Sequence, residues 1–185
     1  MQKSWGKVLV SERKIHQRMR ALGRQITQDF GGEEPVLVAV LKGSFVFLGD
    51  LIRRIALPLS VDFLEVSSYG KNTVSSRAPK LIKDITVPIA GKTVLVVDDI
   101  LDSGHTLRYV MKHLAKKSPK EIKTCVLLDR KDRREIPLKP DYVGFEIGNH
   151  FVVGYGLDYK DGLRHLPFIA AIAPDLSQEG SARTK

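Results

Sequence analysis

The residues best equipped for chemistry lie between Val94 and Thr106, in the run VLVVDDILDSGHT. Asp98 and Asp99 close an apolar stretch, Asp102 follows after two apolar residues, and Ser103, Gly104, His105 and Thr106 come directly behind it. Small residues at Ser103 and Gly104 let backbone N–H groups converge. The hydroxyls of Ser103 and Thr106 add donors, and a helix starting close to Thr106 adds a potential that favours anions. That is a phosphate cradle built without lysine. Carboxylates repel phosphate, so the adjacent acids call for sugar hydroxyls, or for a hard cation bridging sugar and phosphate oxygens. A sugar phosphate carrying magnesium satisfies both halves of the pattern. Asp102 stands between the acids and the cradle, where it can accept a proton at the reacting centre. A strand end capped by Asp99 and a helix capped by Ser103 or Thr106 explain single residues of the run but not the set. The segment is not a Walker loop, which requires Gly-Lys-Ser or Gly-Lys-Thr after a longer glycine loop.

These residues must be held by strands and helices, and the hydrophobic pattern supplies them. Ser11 can cap a helix running to about Phe30, with Ile15, Met19, Leu22, Ile26 and Phe30 at helical spacing and Gly31-Gly32 as its stop. Residues 36–40 read as a strand buried on both faces, followed by a glycine-containing loop and then a helix over 45–56 that ends before Pro58. Residues 61–66 form another strand. The polar stretch 67–80 is too long for a routine turn, so it is either a loop with a job or a two-stranded excursion. Residues 93–97 form a β-branched strand, with Asp98 and Asp99 at its end, and Leu107, Met111 and Leu114 mark a helix that stops near Pro119. Residues 124–128, 142–147 and 151–155 are further strands, and 129–134 is a basic loop. Strands alternating with helices predict an α/β fold with a mostly parallel central sheet flanked by helices. In such sheets ligands sit beyond the carboxyl ends of the strands. The loops after Val40, Val66, Val97 and Leu128 therefore meet in one place.

At 185 residues the chain suits one domain. It has no apolar run long enough to span a bilayer and no apolar signal core near Met1, so no membrane association is expected and the cytoplasm is the default location. Cys125 is the only cysteine, and in an apolar run it reads as packing rather than as a nucleophile. Thirty Lys and Arg against twenty-one Asp and Glu give a net charge of +9, which favours anionic partners. Basic residues cluster at 13–24, 112–120 and 130–134, but without the interleaved aromatics of a stacking platform, which makes nucleic acid the weaker candidate.

The Val94 to Thr106 segment closely resembles the ribose-phosphate motif of the type I phosphoribosyltransferases. Across residues 36–164 the chain is similar to the members of that family that salvage hypoxanthine and guanine. The purine assignment rests on Leu41-Lys42-Gly43, Ser68-Tyr69-Gly70 and the run FVVGYGLD at 151–158. The resemblance implies that Leu41, Lys42 and Gly43 bind pyrophosphate through backbone amides, commonly with a cis peptide between the first two. It implies that Ser68 and Tyr69 belong to a loop closing over the reacting centre, which would exclude water. It further implies that Phe151 stacks on the purine, that the Val152 backbone reads the ring edge, that Asp158 coordinates magnesium, and that Arg164 lies near pyrophosphate.

Two departures stand out. The family usually has Glu-Asp where this chain has Asp98-Asp99. The purine O6 contact is usually a lysine; here the matching position by count is Arg130, Lys131 next to it could take the role after a small loop shift, and a guanidinium fork is not equivalent to an ammonium point charge. The resemblance implies transfer of 5-phosphoribosyl from phosphoribosyl pyrophosphate to N9 of hypoxanthine or guanine, giving IMP or GMP and pyrophosphate. Magnesium would be held by Asp158, Asp98 and Asp99. A homodimer or homotetramer is implied, as is a small hood, drawn from the N-terminal region and residues 148–185, over a core at 36–147. The rival reading, favoured by the net charge, is a regulatory RNA-binding protein on the same fold.

Overall fold

Apolar runs whose side chains alternate between two faces build the centre of the molecule. The computed structural model describes residues 5–67 and 79–172. In chain order the elements are β1 (Trp5–Val10), α1 (Glu12–Asp29), β2 (Val36–Leu41), α2 (Phe45–Ile52), β3 (Ser60–Ser67), β4 (Lys80–Lys83), β5 (Thr93–Leu101), α3 (His105–Ala115), β6 (Glu121–Asp129), β7 (Tyr142–Glu146), β8 (Val152–Val153) and β9 (Ile169–Ile172). Six strands form one sheet in the order β4-β3-β2-β5-β6-β7, all parallel except β4, which pairs antiparallel to β3 at the edge.

The two-residue period of the strands divides the core in two. Leu37, Ala39, Leu95, Val97, Cys125 and Leu127 pack with Ile15, Met19, Leu22 and Ile26 of α1 and with Phe47, Leu48 and Leu51 of α2. Val36, Val38, Val40, Val94, Val96 and Val126 face the other way, onto Leu107, Val110 and Leu114 of α3. Both faces are covered, which is why these strands read as continuous apolar runs.

The chain runs from β2 outward to β3 and β4 on one side, then returns to β5 and runs outward to β6 and β7 on the other. The boundary between β2 and β5 is therefore a topological switch point, where the carboxyl ends of neighbouring strands open a crevice. A second, three-stranded antiparallel sheet in the order β1-β9-β8 forms the hood, with Trp5 and Phe168 in ring contact at 5.8 Å between centroids.

Several boundaries differ from the sequence expectation. The strand expected at 93–97 continues to Leu101, because Asp98, Ile100 and Leu101 still pair with Val126, Leu128 and Asp129 of β6. Acidic residues can extend a strand when the neighbouring strand offers the ladder. The helix expected over 45–56 ends at Ile52. The strand expected at 151–155 shrinks to Val152–Val153, since Gly154, Tyr155 and Gly156 all take positive φ. β1 and β9 have no counterpart in the sequence reading: β1 is completed only by β9, and β9 only by β1 and β8, all distant in sequence from their partners.

Asp62, 6% exposed, anchors the segment that follows β4. It accepts from the backbone N–H of Phe63 at 2.7 Å, Thr86 at 2.5 Å and Val87 at 2.8 Å, and from the Thr86 hydroxyl at 3.2 Å. Burial alone would raise this carboxyl, but those donors outweigh it and hold it down at about 2. Asp62→Ala is expected to lower the unfolding free energy by roughly 2 to 3 kcal/mol at neutral pH, as measured by urea titration. A carboxyl depressed in the folded state stabilises fully above its ordinary value of 3.8, and that stabilisation is lost as pH falls toward about 2. The gap between wild type and variant should close over that window; a constant gap would contradict the assignment.

Candidate active site

At the switch point a cavity of about 410 Å³ is lined by the loop after β2, the end of β5, the start of α3 and two residues of the hood. Leu41, Lys42 and Gly43 come from the first, Asp98, Asp99, Asp102, Ser103, Gly104 and Thr106 from the next two, and Asp158 and Arg164 from the last. Residues far apart in sequence thus share one space.

The acid pair lies at its floor. Asp98 is 5% exposed; its Oδ1 accepts from the Asp99 N–H at 3.0 Å, and Asp99 Oδ1 accepts from the Ile100 N–H at 2.9 Å. Burial first, then the neighbouring Asp99 carboxylate, pushes the Asp98 carboxyl well up. Burial also raises Asp99, against the lowering effect of the backbone N–H of Ile100 and the positive charge of Arg164. The Leu41-Lys42 peptide is cis. A Cβ placed on Gly43 would come within 1.6 Å of Asp99 Oδ2, so the loop backbone rests directly on the acid.

The cradle forms at the N-terminus of α3. Gly104 caps the helix with φ +93°, a left-handed value suited to glycine, and no side chain caps the first turn. The carbonyl of Ser103 accepts from the N–H groups of Glu135 at 3.1 Å and Ile136 at 3.0 Å, bracing the cradle from behind. His105 Nε2 lies 2.9 Å from Glu135 Oε2, and its side chain is not part of the cavity lining.

Asp102 Oδ2 meets Arg130 Nη1 at 3.1 Å. Arg130 is 4% exposed and also donates to the carbonyl of His150. Asp102 Oδ1 and Arg130 Nε are buried without a hydrogen-bond partner among the described residues. Lys131 instead points outward, 2.5 Å from Glu146 Oε1. Of the two cations offered for the base, the structure brings Arg130 to Asp102 and leaves Lys131 on the surface, because β6 ends at Asp129 and the following 3-10 turn carries Lys131 away.

Phe151 is 55% exposed and meets Tyr159 edge to face, while Val152 is buried in the small sheet. Asp158 pairs with Arg164 at 2.7 Å, and Arg164 Nη1 donates to the Gly156 carbonyl at 2.7 Å. Ser68 and Tyr69 lie outside the described residues.

Sequence reasoning missed Arg134. Its guanidinium donates to the carbonyls of Asp102 at 2.9 Å, Leu101 at 3.3 Å and Leu138, and to the buried Asp129 carboxylate. It thereby clamps the backbone that carries Asp102. It sits in the basic loop 129–134 with nothing to set it apart from its neighbours, and its partners near Asp102 are distant in sequence, so no local signal marked it.

Asp98, Asp99 and Asp158 supply only hard oxygen donors to the cavity, yet no group of three His, Cys, Asp or Glu side chains among the described residues is close enough to form a cage by itself. Oxygen donors of this kind are the ligand type that hard cations take.

The family model for the phosphoribosyl transferase domain matches residues 7–160. A hypoxanthine phosphoribosyltransferase of Salmonella typhimurium is 45% identical over 167 residues, covering 89% of this chain and 94% of that protein. The bifunctional protein TilS/HprT of Listeria monocytogenes is 44% identical over 173 residues, but the chain spans only 27% of its length. A crystal structure of a hypoxanthine-guanine phosphoribosyltransferase from Bacillus anthracis superposes with a TM-score of 0.87 at 47% identity, covering 91% of this chain and 99% of that one.

Arg134→Ala leaves Asp129 buried without its cation and should cost about 3 to 5 kcal/mol in chemical denaturation. Arg134→Lys should recover part of that loss but not all, since one ammonium cannot reach every acceptor of the fork. Equal stability of wild type and alanine variant would refute the clamp.

Proposed function

The chain belongs to the phosphoribosyl transferase domain family, and on that footing we propose that it transfers 5-phosphoribosyl from phosphoribosyl pyrophosphate to N9 of hypoxanthine or guanine, releasing IMP or GMP and pyrophosphate. The observation that carries the choice of base is the pairing of Asp102 with Arg130, which leaves Asp102 Oδ1, buried and without a partner among the described residues, as an unused acceptor beside the donors of a guanidinium. A 6-oxopurine protonated at N7 presents the complement, a donor at N7 next to an acceptor at O6. Adenine would set its 6-amino donor against the guanidinium, and an unmatched polar pair in a closed site discriminates strongly.

In this reading the cradle of Ser103, Gly104, His105 and Thr106 holds the 5-phosphate, His105 through its backbone. Asp98 and Asp99 accept from the ribose hydroxyls, while the backbone of Leu41, Lys42 and Gly43 and the charge of Arg164 receive pyrophosphate. Phe151 stacks on the purine and the Val152 backbone reads its edge. Attack by N9 at the anomeric carbon breaks the bond to pyrophosphate as positive charge develops on the ring and negative charge on the leaving group. Asp102 Oδ1 takes the N7 proton, so the base does not become cationic as its new bond forms. Holding sugar, base and leaving group in line supplies much of the acceleration. Magnesium, held by Asp158 and by Asp98 or Asp99 together with substrate oxygens, would neutralise charge on the pyrophosphate. The reading includes action in the cytoplasm as a homodimer or homotetramer, which sizing of the purified protein would check.

The test is turnover with phosphoribosyl pyrophosphate, magnesium and each of hypoxanthine, guanine, xanthine and adenine, followed by pyrophosphate release. Activity with hypoxanthine or guanine well above adenine is expected; none with either would remove the proposal. Asp102→Ala should lower kcat by roughly 100-fold, the usual scale for a proton acceptor. Arg130→Ala should raise KM for the purine by about tenfold or more, whereas Lys131→Ala, which removes only an exposed ion pair, should change it by less than about twofold. The opposite ranking would assign O6 to Lys131.

A further inference from the structure

Tyr155 belongs to neither the acid pair, the cradle nor the base contacts, yet its phenol joins two pieces of the molecule that face the same leaving group. The residue is 4% exposed, and its hydroxyl donates to Asp50 Oδ2 at 2.7 Å. Asp50 stands on α2, which begins directly after Lys42, Gly43 and Ser44. Ser44 secures that junction: its hydroxyl donates to the Val40 carbonyl at 2.5 Å, and its own carbonyl accepts from the Leu48 N–H at 2.8 Å. The loop and the helix therefore form one rigid piece.

The other piece is the hood segment that Tyr155 begins. Its backbone N–H donates to the Leu166 carbonyl at 2.8 Å, and the Gly156 N–H donates to the Arg164 carbonyl at 3.0 Å. Arg164 returns to the Gly156 carbonyl with its guanidinium and pairs with Asp158. A Cβ on Gly156 would stand 2.2 Å from the Gly43 carbonyl oxygen, as one on Gly43 would meet Asp99. Hood backbone, loop backbone and acid are stacked with no side chain between them. Contact so close has meaning only while the two pieces keep their spacing, and the Tyr155 hydroxyl is a directional bond across that junction.

We propose that the Tyr155 to Asp50 hydrogen bond is a positioning contact for the pyrophosphate half of the reaction, holding Gly156, Asp158 and Arg164 against the Lys42-Gly43 loop. The inference rests on the phosphoribosyl transfer proposed above. Tyr155 touches no reacting atom, and its effect passes through Gly156 and α2. Losing the bond should weaken the grip on pyrophosphate selectively, since the 5-phosphate cradle and the Asp102 to Arg130 pair are built on β5, α3 and β6.

Wild-type turnover with hypoxanthine and guanine comes first, and its absence would remove the functional reading and this one with it. With wild type active, Tyr155→Phe is expected to raise KM for phosphoribosyl pyrophosphate by about tenfold, the scale of one hydrogen bond to a charged group. In the reverse direction KM for inorganic pyrophosphate should rise in parallel, while affinity for IMP measured alone should change by less than about twofold. Asp50→Ala should reproduce that split, and Asp50→Asn, which keeps an acceptor oxygen, should restore most of it. The double variant Tyr155→Phe, Asp50→Ala should be no worse than either single change. Arg53→Ala removes the exposed ion pair on the other carboxylate oxygen of Asp50 and an exposed bond to the Gly49 carbonyl, and should leave both constants at their wild-type values. An unchanged KM in Tyr155→Phe, equal weakening of IMP, or additive effects in the double variant would overturn the proposal. Should Tyr155→Phe fail to fold, the contrast between Asp50→Ala and Asp50→Asn decides it alone.

Discussion

Two carboxylates on consecutive residues of a buried strand, near its carboxyl end, cannot both carry charge cheaply, and the site is arranged around that difficulty. The backbone gives Asp98 and Asp99 one N–H each. The rest of the compensation must come from outside the strand. Arg164, reaching over from the hood, contributes its field. The loop after β2 gives up a side chain at Gly43 because Asp99 already occupies the space.

The arginines show how little a net charge of +9 says by itself. Arg18 donates to the carbonyls of Val143 and Gly144, binding α1 to the edge of the large sheet. Arg134 gathers carbonyls around Asp102, and Arg130 is buried against that same residue. These cations act inside the fold rather than as an electrostatic surface. Planar, multidentate donors can bridge strand ends that no backbone ladder connects.

Legibility in the sequence followed the range of the interactions. Residues 36–40 and 94–97 could be read as buried strands because covering both faces leaves a continuous apolar signature. The turn into α3 could be placed beside the cavity because Ser103, Gly104 and Thr106 are neighbours in sequence as well as in space. The length of β5 could not, since Asp98 to Leu101 are held in strand geometry by β6 and not by their own propensity. β1 was hidden for a related reason: its partner β9 is supplied by the opposite end of the described chain. Asp129 looked like the start of a loop, whereas it is the buried counter-ion of Arg134. That Arg130 lies against Asp102 while Lys131 pairs with Glu146 turned on where a 3-10 turn begins, which composition does not encode.

The stack of Gly156 on Gly43 on Asp99 has a consequence for how such a molecule can vary. Replacing glycine by alanine often rigidifies a protein at little cost, because the unfolded chain loses freedom. At these two positions that route is shut, since the added carbon would fall on a carbonyl oxygen or a carboxylate. The hood and the loop after β2 are therefore heritable only as a matched set: a chimera taking one from a relative of different backbone spacing would have to take the other with it. Diversification is left to exposed positions such as Arg13 and Arg20 of α1, where a changed side chain displaces only solvent.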